Sequence, residues 1–189
     1  MLISYFCAMK NGKNIVFIAI SIDGYIADRD GGLSYLEMVP NPKQIDMGYG
    51  KLLEKVDALL MGRSTYEMVL SFGIDWPYTK PVYVLSNSLT HVSENLKGKV
   101  ELVKGSLQEV LSSIHSKCHH NLYIDGGKVI QQFFQEDLID EMILTTIPIL
   151  LGGGVPLFAD LPKALKFELV ESKVFLGEVV QMTYRRKQV

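Results

Sequence analysis

Apolar residues along this chain fall in short runs, and most of those runs are continuous rather than alternating. Ile15-Val16-Phe17-Ile18-Ala19-Ile20 is β-branched and unbroken, which suits a strand buried on both faces better than an amphipathic helix. Asp57–Met61, Pro81–Leu85 and Leu122–Ile124 repeat the pattern, and Val100–Val103 is a weaker run whose charged neighbours suit a sheet edge. Between these runs the spacing turns helical. From Gln44 to Val56 the apolar positions Ile45, Leu52, Leu53 and Val56 predict a helix, and Ser64 with Glu67 three residues later has the form of a capping box. Ser106, followed by Gln108 and Glu109, predicts a helix to about His115, and Lys128 to Gln135 predicts another. Strand alternating with helix implies parallel strands joined by crossovers.

The pattern changes beyond Gln135. Glu141–Ile149, Lys166–Phe175 and Glu178–Arg186 read as strands with little helix between them, and Leu176-Gly177 reads as a hairpin turn. The expected fold class is therefore three-layer α/β: a mixed, mostly parallel sheet with an antiparallel C-terminal hairpin, flanked by helices. Residues 15–189 form one domain in this reading, because no repeat, linker or low-complexity stretch divides them. Residues 1–14 read as an N-terminal extension or an upstream start. Their apolar opening, Met1 to Met9, has no basic segment ahead of it and is far shorter than the roughly 20 residues that span a bilayer.

Composition narrows the function. The 189 residues are 48% apolar and 21% charged, enough for a sizeable core, and the net charge of −2 comes without a long basic run. Nucleic acid and membrane are thus not expected partners, whereas a small ligand met by a local pocket is. The two cysteines, Cys7 and Cys118, lack the C-x-x-C spacing of redox or zinc sites, and a reducing cytoplasm is the simplest setting. His115, His119 and His120 with Cys118 lie at a helix end where imidazoles and Lys117 suit the dipole, so no metal site is assigned to them.

Three glycine-bearing turns follow strands: Gly62-Arg63-Ser64-Thr65, Gly126-Gly127-Lys128 and Gly152-Gly153-Gly154. In open α/β sheets ligands gather at the carboxyl ends of strands, where helix N-termini present unpaired N–H groups to an anion. Gly126-Gly127 allows close backbone approach to a diphosphate, and Arg63 offers a planar fork for a phosphate beside the hydroxyls of Ser64 and Thr65. Neither the G-x-G-x-x-G fingerprint nor the P-loop pattern is present.

Four segments in order carry a family resemblance: Ser21-Ile22-Asp23-Gly24-Tyr25-Ile26-Ala27, Leu60-Met61-Gly62-Arg63-Ser64-Thr65-Tyr66-Glu67, Tyr123-Ile124-Asp125-Gly126-Gly127, and Leu150 to Phe158 with its triple glycine. Together they resemble the reductase domain of the bifunctional riboflavin-biosynthesis deaminase-reductase and its stand-alone relatives, a branch of the dihydrofolate-reductase-like superfamily. The resemblance runs from about Ile15 to Arg186. It implies an NADPH cleft in which Gly62, Arg63, Ser64 and Thr65 meet the adenosine ribose and its 2′-phosphate. Leu85, Ser86 and Asn87 would lie at the adenine side, Gly126, Gly127 and Lys128 at the diphosphate, and Ala19 beside the nicotinamide. It also implies a homodimer. The zinc-site pattern of the deaminase half is absent, which leaves open which small pyrimidine, pterin or related substrate is reduced.

Hydride transfer is often paired with delivery of a proton, for which a carboxyl group can serve. Asp46 stands upstream of Gly62-Arg63 at the distance where dihydrofolate reductases keep their pterin-binding acid, and equally reads as a helix-start acid favoured by the dipole. Asp23 resembles the substrate-side loop of the riboflavin reductases, and an Asp-Gly pair is also an ordinary turn. Gly153 and Gly154 resemble the family's substrate loop or form a tight connection. Trp76 is expected to pack a loop lid or line the cleft, and Tyr25 and Tyr35 to border the pocket or join the core. Two alternatives to a riboflavin-type reductase stand. One is a non-catalytic NADPH-binding protein; the other is a true dihydrofolate reductase, disfavoured because Gly24 to Leu36 replaces the Trp-bearing loop.

Overall fold

A computed structural model describes residues 12–187. Eight strands form one sheet in the order β5-β4-β3-β6-β1-β7-β10-β9. These are β1 Asn14–Ser21, β3 Ala58–Gly62, β4 Val82–Leu85, β5 Val100–Val103, β6 Leu122–Asp125, β7 Glu141–Ile147, β9 Phe167–Phe175 and β10 Val179–Arg186. The six from β5 to β7 run parallel, β10 is antiparallel to β7, and β9 is antiparallel to β10. Two further strands, β2 Tyr25–Ala27 and β8 Val155–Pro156, pair with each other apart from the main sheet. β1 begins at Asn14, inside the segment read as an extension, while residues 1–11 of that segment lie outside the described residues.

Strand alternation divides the core into two halves, one on each face. Val16, Ile20, Ala58, Leu60, Leu122 and Ile124 point to one side, where they pack against helix α3 Leu107–Ser116 and helix α4 Gly127–Gln135, with Ile114 and Phe133 fully buried. Ile15, Leu59, Met61, Val82, Val84 and Tyr123 point to the other side, where helix α1 Tyr49–Lys55 supplies Leu52 and helix α2 Arg63–Ser71 supplies Tyr66. Burial on both faces is why these strands read as unbroken apolar runs. The layers match the expected three-layer class. β5 is an edge, as its charged neighbours suggested, and β9, largely exposed, is the other.

Local chemistry sets the ends of the elements. Ser106 and Glu109 form a reciprocal capping box on α3, and Leu176 (φ 54°) with Gly177 (φ 82°) makes the β9–β10 turn with both central residues left-handed. Two expectations fail. The helix expected from Gln44 begins at Tyr49, because Gln44, Met47 and Gly48 take φ of 49°, 51° and 94°, which a right-handed helix cannot contain. Ser64 does not cap α2: the helix starts after Gly62 with no side-chain cap, and Glu67 turns instead to Arg63.

Candidate functional site

The register of the parallel strands builds the site. Gly62 at the end of β3 lies opposite Leu85 of β4, and Met61 lies opposite Asp125 of β6, so three neighbouring strands end at one level. The turns leaving them face a single groove of about 600 Å³, lined by Gly62, Arg63, Ser64, Thr65, Leu85, Ser86, Asn87 and Lys128. Ser88, Gly105, Val129, Gln132 and Val155, which sequence reasoning did not select, complete its wall. Gly126 closes the junction between the first and third turns. Its φ is 87°, and a Cβ there would lie 2.3 Å from the Thr65 hydroxyl. A side chain at this point would fill the seam where the two loops meet.

The groove is rich in donors that the protein leaves unused. Both α2 and α4 begin at its edge without a side-chain cap, so their first N–H groups and the positive ends of their dipoles remain available. Among the described residues, the side chains of Ser64, Thr65, Asn87 and Lys128 make no hydrogen bond within the protein. Arg63 is held at two nitrogens: its Nε donates to Glu67 Oε1 at 2.7 Å and its Nη1 to Ser88 Oγ at 2.9 Å. Such an array suits a phosphorylated ligand.

Other expected residues lie elsewhere. Ala19 sits mid-strand on β1, beside the cluster of Tyr35, Val39 and Ile147, and its carbonyl accepts the Tyr35 hydroxyl. Gly127 is buried where a Cβ would press on Ile26 at 2.9 Å, which explains its place between α4 and the small sheet. Gly153 packs on the Arg29 guanidinium, and Gly154, at φ 150°, passes so close to the Ala27 carbonyl that a Cβ would lie 2.1 Å from it. These two glycines shape the β2–β8 pairing, and the next residue, Val155, reaches the groove.

The carboxylates expected to act are both engaged. Asp23 accepts from Ser21 Oγ at 2.6 Å and from the Leu151 and Gly152 N–H groups at 3.1 and 2.8 Å. The Ser21 bond and these amides hold its pKa below the usual carboxylate range. Asp46 is exposed and accepts the N–H groups of Gly48 and Gly50, each at 2.9 Å, which likewise lowers its pKa. In both, the bonds favour the ionised form. Asp46 resembles the helix-start acid of its second reading, one turn later than expected.

Sequence reasoning missed Asp125. Burial pushes its carboxyl up to about 6, against the lowering effect of the Gly126 N–H at 2.8 Å and a bond from Tyr123. Tyr123 packs edge-on against Tyr49, with ring centroids 6.3 Å apart. Burial and the Asp125 charge together raise the Tyr49 hydroxyl to about 12 and push Tyr78 higher still. Trp76 continues this wall, 5.1 Å from Tyr78 and 5.9 Å from Tyr66, so its loop folds back over the α2 face of the sheet. An acidic residue directly ahead of Gly126-Gly127 was the one available signal. Its tyrosines come from distant segments.

Comparison with known proteins gives a consistent picture. The RibD C-terminal domain family model matches residues 13–181. A protein of Shewanella sp. PV-4, named only for riboflavin biosynthesis, is 55% identical in its solved structure, with a TM-score of 0.91 over 93% of this chain and 99% of its own. The diaminohydroxyphosphoribosylaminopyrimidine deaminase/5-amino-6-(5-phosphoribosylamino)uracil reductase of Thermotoga maritima superposes with a TM-score of 0.73 at 16% identity, over 98% of this chain and 59% of that one. Dihydrofolate reductase of Enterococcus faecalis superposes at 0.66 with 21% identity, over 94% and 98%. The last two likenesses establish a dihydrofolate-reductase-like fold.

Proposed function

Because the chain belongs to the RibD C-terminal domain family, we propose that it is an NADPH-dependent reductase acting by hydride transfer on a small pyrimidine, pterin or related heterocycle. One observation carries the reading: three adjacent strand ends and two uncapped helix N-termini converge on one groove with Arg63 and Lys128 at its rim. Gly126 lets the third turn pack directly on Thr65 of the first, which brings the α4 N-terminus and Lys128 to the groove. The Enterococcus faecalis neighbour was solved with NADP(H), and the Thermotoga maritima neighbour is named as a reductase.

The roles in this reading are those the family resemblance implies. Gly126, Gly127 and Lys128 hold the diphosphate, while Arg63, Ser64 and Thr65 take the adenosine 2′-phosphate and Leu85, Ser86 and Asn87 the adenine side. Ala19 borders the nicotinamide. When bound, the cofactor supplies the hydride. Asp125 holds a proton below about pH 6 and passes it to the substrate heteroatom, with Tyr49 and Tyr78 keeping bulk water away. Asp23 fixes the substrate-side loop of Gly153 and Gly154 rather than exchanging protons. No helix among the described residues is long and apolar enough to cross a membrane. We place the enzyme in the cytoplasm, where NADPH is regenerated. A homodimer is supported by the open β9 edge with Leu169, Val170 and Val174 exposed.

Calorimetric titration tests the reading. NADPH should bind clearly more tightly than NADH, and Arg63→Ala should erase the difference. Equal, weak binding of both by the unmodified protein would remove the basis of this assignment.

A further inference from the structure

The Arg63–Glu67 pair runs against helix electrostatics. Arg63 is the first residue of α2, where the dipole disfavours a cation, and its acidic partner follows four residues later, the weaker order for such a pair. Both side chains are about half exposed, so the contact stabilises the helix little. A second contact orients the same guanidinium. Ser86 Oγ accepts the N–H groups of Ser88 at 3.2 Å and Leu89 at 3.0 Å, and this turn presents the Ser88 hydroxyl to Arg63 Nη1 at 2.9 Å. With Nε and Nη1 engaged, Nη2 is the nitrogen with no bond among the described residues, and Arg63, Ser86, Asn87 and Ser88 all line the groove.

We propose that Glu67 and Ser88 are specificity-determining positioning residues that hold Arg63 ready for a phosphomonoester. The negative charge of Glu67 sets how strongly the groove prefers a 2′-phosphorylated dinucleotide to its unphosphorylated counterpart. This rests on the NADPH reading above. Glu67 keeps the guanidinium fork in one orientation, yet its carboxylate repels an arriving phosphate dianion. Orientation and repulsion are separable, because glutamine keeps the acceptor oxygen and loses the charge.

The test compares the NADPH and NADH affinities of the unmodified protein with those of Glu67→Gln, Glu67→Ala, Ser88→Ala and Ser88→Thr, at low and high salt. Glu67→Gln should tighten NADPH by about 3- to 10-fold at low salt and less at high salt, because screening weakens exposed charges. NADH should bind it unchanged. Glu67→Ala should bind NADPH less tightly than Glu67→Gln, since the guanidinium is released. Ser88→Ala should lose NADPH affinity that Ser88→Thr retains. If Arg63→Ala abolishes the NADPH preference while Glu67→Gln and Ser88→Ala leave the ratio unmoved, this proposal is overturned and the cofactor reading stands. If the unmodified protein shows no preference, both fall.

Discussion

The loops that follow β1 and the groove at the ends of β3, β4 and β6 treat their polar groups in opposite ways. In the loops the carboxylates are engaged with backbone: Asp23 binds the 151–152 amides, Asp28 the Asp30 and Gly32 amides, and Asp46 the Gly48 and Gly50 amides. In the groove, the Ser64 and Thr65 hydroxyls and the Lys128 amine make no hydrogen bond among the described residues, and two helices begin without a side-chain cap. A carboxylate that already accepts two or three N–H bonds is a structural clamp, whereas donors without acceptors are a demand for a ligand. On the proposed reading, ligand binding falls to the groove and proton delivery to Asp125, while the loop carboxylates hold the fold.

The largest expected effect separates Asp125 from the two clamps. Asp125→Asn should lower kcat by about 10²- to 10⁴-fold, the usual scale for removing a general acid, while NADPH affinity persists. In the unmodified protein kcat/KM should decline as pH rises through about 6, the value to which burial raises the Asp125 carboxyl. Asp23→Ala and Asp46→Ala should instead leave that pH profile in place and lower the melting temperature. A flat profile through pH 6, or its loss in Asp46→Ala, would reassign the acid.

Next come the donors. Arg63→Ala should weaken NADPH by about 10- to 100-fold, the range for charge-assisted hydrogen bonds, and spare NADH in the same titration. Gly126→Ala strains a left-handed residue and drives a methyl into Thr65, so denaturant unfolding should show a loss of about 1–3 kcal/mol together with weaker NADPH binding. If stability falls and affinity does not, the Gly126 contact is a packing feature alone.

The smallest effects lie in the pH dependence of stability, where the two regions have opposite signs. Asp125 is raised above its unfolded value, so its contribution is complete at low pH and is lost as pH rises through about 6. Asp137, held by Arg186 to about 2, contributes above the unfolded carboxylate range and loses its contribution as pH falls toward 2, and Asp23 and Asp46 act in the same direction. Thermal unfolding should therefore be most resistant near pH 5. Asp125→Asn should gain about 1–2 kcal/mol at pH 7.5 and flatten the slope between pH 7 and 5, because an amide carries no buried charge. An unchanged slope would mean that Asp125 is better solvated than its tyrosine wall implies.

These contrasts also mark what the sequence could disclose. The parallel strands were legible because burial on both faces turns β3 and β4 into continuous apolar runs that polar turns interrupt. Much of the groove's lining was legible because it lies in consecutive residues, Gly62 to Thr65 and Leu85 to Asn87, whereas of Gly126 to Lys128 the groove is lined by Lys128. β2 and β8, of three and two residues, are too short to show any periodicity. The clamp role of Asp23 depends on amides 128 and 129 positions away, and the pKa of Asp125 on Tyr49 and Tyr78 from separate segments. The failed helix start at Gln44 has a related cause: the helical spacing was present, but the local backbone turns left-handed around Asp46.

Strand β1 lies at the centre of the sheet between β6 and β7, and its pairing partners are residues 122–124 and 141–147. During translation this strand must therefore wait, with both hydrogen-bonding edges unsatisfied, until residues 122–147 have been made. Such distant pairing slows folding and prolongs exposure of an apolar template to neighbouring nascent chains. Yield in cells should accordingly depend more on synthesis rate and chaperone supply than on the stability of the finished molecule.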